Sequence, residues 1–343
     1  MNKSSILLIY TGGTIGMKED PNDLTLRPFD FSQIMDEAPE LGKFAFRIDH
    51  YTFDPLIDSS DVEPGLWQKL AELIRDRYND YDGFVILHGT DTMAYSASAL
   101  SFMLDHLTKP VVFTGSQLPI GRPRTDGKEN LISAVEIAAA KDLEGRARVP
   151  EVCIYFNSQL LRGNRATKVN ATAFDAFQSP NYPSLAEAGI SIRYRSSAIH
   201  YPSGKSPFSI HTALDTKVSI LKVHPGLTPQ VARHVLCEAG IRAVIIETYG
   251  SGNAISKPWF LEIIRESAAA GKVLVNVTQC LAGEVDMSLY ATGKALGDAG
   301  VISGGDMTTE AALGKLFHLL GEYRDPELVK YGLRLNLKGE KTK

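Results

Sequence analysis

The sequence predicts an α/β protein of two open, mostly parallel-sheet domains joined by a linker, with the larger domain first. That expectation rests on three features of the chain. Short apolar runs of strand length alternate with amphipathic stretches of helix length, the pattern of parallel βαβ units. A loop-type cluster, Ser196, Ser197, Pro202, Ser203, Gly204, Lys205, Ser206 and Pro207, interrupts the alternation, which then restarts. The chain has 343 residues, more than the roughly 100–200 of one typical domain. The expected division is residues 1–195, a linker over 196–216, and a smaller domain over 217–343.

The elements follow in order. Ile6-Leu7-Leu8-Ile9-Tyr10 reads as a buried strand. It runs into Thr11-Gly12-Gly13-Thr14 and a polar stretch, Lys18 to Arg27, placed as a candidate lid beside the glycine turn. After Asp61, Leu66, Leu70, Leu73 and Ile74 fall on one helical face. Phe84–Leu87 is a second buried strand, followed by a helix around Ala94–Leu104. Pro110–Thr114 and Val152–Phe156 read as strands on either side of a helix over Ala134–Ala140. In the second domain Val218–Val223, Val244–Ile246 and Val273–Val275 are strands. Thr228-Pro229 is a helix start, a hydroxyl cap followed by proline, with Gly240 expected just past the end. Further helices are expected near Trp259–Ala270 and from Thr308 to Leu320.

Composition narrows the function classes. The chain is 44% hydrophobic and 22% charged, with net charge -4, which is ordinary for a soluble globular protein. Acidic and basic residues are mixed, so no basic stripe points to nucleic acid and no polybasic run to a membrane. The N-terminal apolar run is shorter than a membrane span and lacks a small-residue cleavage site. A reducing cytoplasm is the expected compartment. Cys153, Cys237 and Cys280 cannot all pair and lack metal-type spacing. Cys153 and Cys280 lie in or beside apolar strands, where buried thiols are expected.

Two strand-end motifs carry the chemistry: Thr11-Gly12-Gly13-Thr14 and His88-Gly89-Thr90-Asp91-Thr92. Each puts threonine at the carboxyl end of a strand, the edge where open α/β sheets bind ligands. The spacing Gly12-Gly13-x-x-Gly16 is not a dinucleotide turn, and a polar stretch follows where such a unit opens into a helix. A threonine hydroxyl is a poor nucleophile unless a base removes its proton. Asp91 suits two roles, capping the next helix or holding a substrate ammonium. Asp58-Ser59-Ser60-Asp61 caps a helix or, with its hydroxyls and free N–H groups, receives a carboxylate. Spacing alone makes Lys168, in Arg162-Gly163-Asn164-Arg165-Ala166-Thr167-Lys168, a solvated surface lysine. Closed in a site, the same lysine could lose its proton and act as a base.

These motifs, with Gly83-Phe84-Val85-Ile86-Leu87 ahead of the second, occur in the same order in bacterial L-asparaginases, and the chain resembles most the cytoplasmic, type I branch. The resemblance continues through Tyr249-Gly250-Ser251-Gly252-Asn253-Ala254, Asn276-Val277-Thr278-Gln279-Cys280, Tyr290-Ala291-Thr292-Gly293 and Gly305-Asp306-Met307-Thr308. It implies that Thr14 attacks the side-chain amide of L-asparagine, releasing ammonia, and that water then hydrolyses a β-aspartyl enzyme. It further implies that Lys168 draws a proton through Thr90 beside Asp91, replacing the surface reading of Lys168. By the same resemblance Asp91 holds the α-ammonium, Ser59 with the Asp58 segment holds the α-carboxylate, and Gly115-Ser116 borders the leaving amide. No metal or organic cofactor is implied. A homodimer or homotetramer is.

Two departures stand out. Relatives carry a tyrosine in the loop after the first motif, whereas none occurs here between Tyr10 and Tyr51, the stretch reading Asp23-Leu24-Thr25-Leu26. The expectation is a loop that contributes shape and no acid–base chemistry. Some type I enzymes also bind a second asparagine at an allosteric site. The matching residues are Thr167, Asn253 and Cys280, but Glu247 stands where an arginine would clamp the effector. A carboxylate facing a carboxylate is repulsive, so weak or absent activation is expected. Glutamine remains a candidate side substrate, because one methylene is worth only about 1–3 kcal/mol of discrimination.

Two other functions are compatible with the residues. One is an ammonia-generating component of a tRNA-dependent amidotransferase, disfavoured by a first motif near residue 1 and by the absence of an RNA-type face. The other is a non-catalytic amino-acid-binding regulator, favoured by the missing tyrosine and opposed by the set Thr14, Thr90, Asp91 and Lys168.

Overall fold

The computed structural model describes residues 4–19, 26–28, 36–202 and 206–342. The chain divides into two compact units, residues 1–179 with 183–210, and residues 180–182 with 211–343. Among the described residues no helix is long and apolar enough to cross a membrane.

The first unit is built on one sheet. Its strands are β1 (Ser5–Tyr10), β2 (Arg47–Thr52), β3 (Gly83–Leu87), β4 (Val111–Thr114), β5 (Val152–Phe156) and β6 (Gln159–Arg162). After a separate pair, β7 (Thr167–Lys168) with β8 (Phe177–Gln178), come β9 (Ala186–Ala188) and β10 (Ile192–Tyr194). The sheet order is β10-β9-β6-β5-β4-β3-β1-β2. Pairing is parallel from β2 through β5 and antiparallel beyond. Strands β3, β4 and β5 are buried throughout, as unbroken apolar runs in a sheet covered on both faces must be.

Helix α1 (Pro64–Arg77) buries Leu66, Leu70 and Ile74 as their spacing requires, and adds Trp67 and Ala71 to that face. Helix α2 (Met93–Met103) is buried along nearly its whole surface. Helix α3 (Gly127–Ala139) begins earlier than its apolar residues indicate, because polar Asn130 and Ser133 are buried in it. Strand β1 pairs with β2 on one side and β3 on the other. The chain therefore turns one way after β1 and the other way after β3. Between their carboxyl ends lies the topological switch point where open α/β sheets bind ligands. Of the candidate lid, Met17–Glu19 pairs antiparallel with Leu26–Pro28. Asp23, Leu24 and Thr25 lie outside the described residues.

The second unit carries a wholly parallel sheet, β11 (Val218–Lys222), β12 (Ala243–Thr248), β13 (Val273–Thr278) and β14 (Val301–Ser303), in that order. Alternate strand residues face two helical layers. Val244, Ile246 and Leu274 pack with Phe260, Ile263 and Ile264 of α5 (Pro258–Ala269) and with Leu236 of α4 (Pro229–Cys237). Leu296 of α6 (Ala291–Asp298) joins that layer. Ile245, Val273 and Val275 pack with Leu316 and Leu319 of α7 (Thr309–Glu322) and Leu333 of α8 (Pro326–Arg334). Thr228 accepts from Val231 N as the expected cap, but α4 ends at Cys237, before Gly240. Cys153 is buried as expected. Cys280 is exposed, because β13 ends at Thr278 and leaves it on the following loop.

Candidate active site

The site is assembled where β1 and β3 end. Thr11 N and Thr11 Oγ1 both donate to Leu87 O, at 3.0 and 2.9 Å, tying the two strand ends together. Gly12 and Gly13 have φ of 132° and 92°, a region side-chain-bearing residues avoid. A Cβ on Gly12 would lie 2.1 Å from Ile57 O, and one on Gly13 would lie 2.5 Å from Gly89 Cα. Glycine alone lets the first motif press against the second. Thr14 then opens a single 3-10 turn, Thr14–Gly16. The buried Tyr10 hydroxyl donates to Gly16 O at 2.9 Å and anchors that turn from beneath. Burial pushes the Tyr10 phenol up, so it remains a neutral donor. Among the described residues, none hydrogen-bonds to the Thr14 hydroxyl.

At the end of β3, Lys168 Nζ lies 2.8 Å from Thr90 Oγ1 and 2.8 Å from Asp91 Oδ1. The lysine side chain is only 18% exposed, against 63% for Asp91. Spacing places Lys168 at the surface. The pairing of β7 with β8, Lys168 opposite Phe177, instead brings it onto the second motif. Asp91 does not cap α2. Thr92 is the residue at the cap, and its hydroxyl donates to Ser59 O at 2.7 Å. The Ser59 hydroxyl faces Asp91 Oδ2 at 3.5 Å. Asp58 caps only the 3-10 turn Ser59–Asp61, accepting from Ser60 N and Ser60 Oγ at 2.9 Å each, whereas Glu63 precedes α1 and gives it no side-chain cap. Those two bonds hold the Asp58 carboxyl below its ordinary range. Ser116, buried after β4, donates to Leu118 O at 2.5 Å.

Gln117 enters the site without having been singled out in the sequence. Its Oε1 faces Thr90 Oγ1 at 3.4 Å, and its Nε2 donates to Ala173 O at 3.0 Å, in the loop between β7 and β8. Asp126 fixes the Gln117 backbone, its carboxylate accepting from Gln117 N and Leu118 N. Gln117 sits just past a parallel strand end, the one signal that could have marked it.

Thr167 lies on β7 in the first unit, and Glu247, Asn253 and Cys280 lie in the second. Glu247, on β12, accepts from Thr309 Oγ1 at 2.8 Å and lies 3.3 Å from Lys222 Nζ. Asn253 Oδ1 accepts from Thr292 Oγ1 at 2.6 Å.

Hydroxyls, one lysine and one open carboxylate at a switch point define an α/β amidohydrolase-type site, equipped for acyl transfer through oxygen. Residues 5–200 match the family model "Asparaginase, N-terminal", and residues 217–331 match "Glutaminase/Asparaginase C-terminal domain". The chain belongs to the asparaginase family. It is 45% identical to L-asparaginase 1 of Escherichia coli, over all of this chain and 99% of that one. The solved L-asparaginase I of Vibrio cholerae superposes with a TM-score of 0.89 at 42% identity, covering 99% of this chain and 100% of that one. A glutamyl-tRNA(Gln) amidotransferase component of Sulfolobus acidocaldarius is 34% identical, over 98% of this chain and 75% of its own.

Removing the Tyr10 hydroxyl leaves the Gly16 carbonyl without its buried donor. Tyr10→Phe is expected to cost about 1–3 kcal/mol in urea unfolding, the usual penalty for an orphaned buried acceptor.

Proposed function

We propose that this protein hydrolyses the side-chain amide of L-asparagine to L-aspartate and ammonia, with L-glutamine a weaker substrate. The contact of Lys168 Nζ with both Thr90 Oγ1 and Asp91 Oδ1 carries this reading. A zwitterionic substrate needs an anion for its ammonium and donors for its carboxylate. The open Asp91 carboxylate supplies the first, and the Ser59 hydroxyl with the Asp58 segment supplies the second. The amide then meets the threonines, bordered by Gly115-Ser116. Thr14 Oγ1 attacks the amide carbon and loses its proton as ammonia leaves, forming a β-aspartyl ester. Lys168 takes through Thr90 the proton of the water that cleaves the ester. Aspartate departs, and the proton taken by Lys168 is returned to Thr14 Oγ1, which resets both groups. The chemistry proceeds without a tyrosine between Tyr10 and Tyr51 and calls on no cofactor.

The protein is further proposed to work in the cytoplasm as a homodimer or homotetramer, without nucleic-acid or membrane partners. The amidotransferase component of Sulfolobus acidocaldarius resembles this chain less than L-asparaginase 1 of Escherichia coli does, so asparaginase chemistry is preferred to ammonia supply. Glu247 offers an effector carboxylate no cation of its own, so activation by asparagine is proposed to be weak or absent.

Ammonia release measured against L-asparagine concentration tests the reading. Wild type is expected to turn over without a partner. Thr14→Ala should lose at least about a thousandfold in kcat, as loss of a nucleophile does. Lys168→Met should lose about 100- to 10,000-fold, the range of general acid–base contributions. No release from folded wild type would favour the regulator or the partner-dependent amidotransferase component. The rate curve itself is expected to be hyperbolic. A sigmoidal curve that Glu247→Ala abolishes would refute the loss of activation.

A further inference from the structure

Thr90 and Asp91 are only as well placed as the peptide before them. A Cβ on Gly89 would lie 2.5 Å from Ser59 Oγ and 3.4 Å from Gly13 Cα. The Gly89 backbone is thus packed directly against Ser59 and the residue preceding Thr14. Its carbonyl oxygen lies 2.7 Å from His88 Nδ1. The His88 ring is 1% exposed, and its Nε2 lies 3.0 Å from Ser96 Oγ. Ser96 Oγ accepts the Trp67 indole N–H at 2.8 Å.

The carbonyl end of this chain of contacts and the burial of the ring together fix the protons on His88. An indole nitrogen only donates, and a carbonyl oxygen only accepts. His88 Nδ1 must therefore carry a proton. Burial pushes the ring's pKa down to about 4, so near neutral pH Nε2 carries none. Ser96 then donates its own proton to Nε2. The result is a one-way relay, Trp67 to Ser96 to His88 to the Gly89 carbonyl. A buried polar chain with every member satisfied has one arrangement and rigidifies what it holds. His88, with both nitrogens engaged, takes no part in the proton transfers described above.

We infer that His88 is a positioning residue: held in place through Ser96 by Trp67, it clamps the Gly89 peptide and so sets Thr90 against Lys168. This rests on the reading of Thr90, Asp91 and Lys168 as the catalytic group. The histidine tautomer tests the relay without any turnover. In 15N-histidine-labelled wild type, a neutral ring protonated on Nδ1 is expected for His88. Ser96→Ala should keep the Nδ1 proton that the Gly89 carbonyl requires but shift the Nε2 resonance as its hydrogen bond is lost, and Ser96→Thr should restore it. An Nε2-protonated ring in wild type overturns the relay.

Kinetics tests the clamp. His88→Leu is expected to lose about 10- to 100-fold in kcat, the scale of displaced catalytic geometry. His88→Asn keeps an amide N–H near the position of Nδ1 and should regain most of that loss. Equal kcat in the two variants would mean that the ring only fills space, which overturns the inference. Should His88→Leu fail to fold, Ser96→Ala against Ser96→Thr provides the same comparison, with loss expected in the first and recovery in the second. A wild type that releases no ammonia overturns the functional reading, while the tautomer still decides the relay.

Discussion

The geometry of the site depends on backbone segments that approach more closely than side chains allow. Gly12 lies against Ile57, Gly13 against Gly89, and Gly89 against Ser59, with room for a Cβ at none of them. Contacts under 3.0 Å are ones that real Cβ atoms essentially never make. The cost is conformational. Gly12 and Gly13 hold positive φ, and each glycine surrenders more chain freedom on folding than any other residue. What offsets it is tertiary: the buried β1–β3 ladder, the two Thr11 donations to Leu87 O, and the Tyr10 brace beneath the Thr14 turn. Two strand ends that a parallel sheet merely sets side by side are thereby fused into one crevice.

Charge in that crevice is concentrated on a single turn and the lysine against it. Lys168 is largely enclosed, and both groups it touches are hydrogen-bond acceptors. Asp91 is open, so it can neutralise the lysine and still receive a cation from solvent. Its other oxygen faces Ser59, whose carbonyl is held by Thr92. On the proposed reading, the group that recognises the substrate and the group that moves protons are consecutive residues of one turn. Gln117 links this turn to the loop between β7 and β8. The lysine and its partners therefore share a common brace.

The sequence was most legible where burial is continuous. The apolar runs of β1, β3, β4 and β5 stand in the structure nearly residue for residue, and Thr14, Thr90 and Asp91 follow the strand ends where the sequence puts them. It was least legible where pairing over long sequence distances decides the outcome. Spacing makes Lys168 a surface residue, because a two-residue strand has no periodicity and its environment is set by β8. The antiparallel strands β6, β9 and β10 are short and only partly apolar, so they leave little pattern. Helix α8 follows a turn and buries little beyond Val329 and Leu333. Asp91 after a strand reads equally as a cap, and the choice was made by Thr92 occupying that position. The relay through His88 joins residues of α1, α2 and the end of β3, which no local pattern brings together.

The central claim is that Thr14 carries the acyl group and that Thr90 serves the water that removes it. Acid quenching of the Lys168→Met variant after mixing with L-asparagine, followed by peptide mass spectrometry with fragment sequencing, tests it most directly. The account predicts the mass of an aspartyl ester on Thr14, accumulating because its hydrolysis is slowed. An ester on Thr90, or ammonia release at the wild-type rate with no ester at any time point, would contradict it.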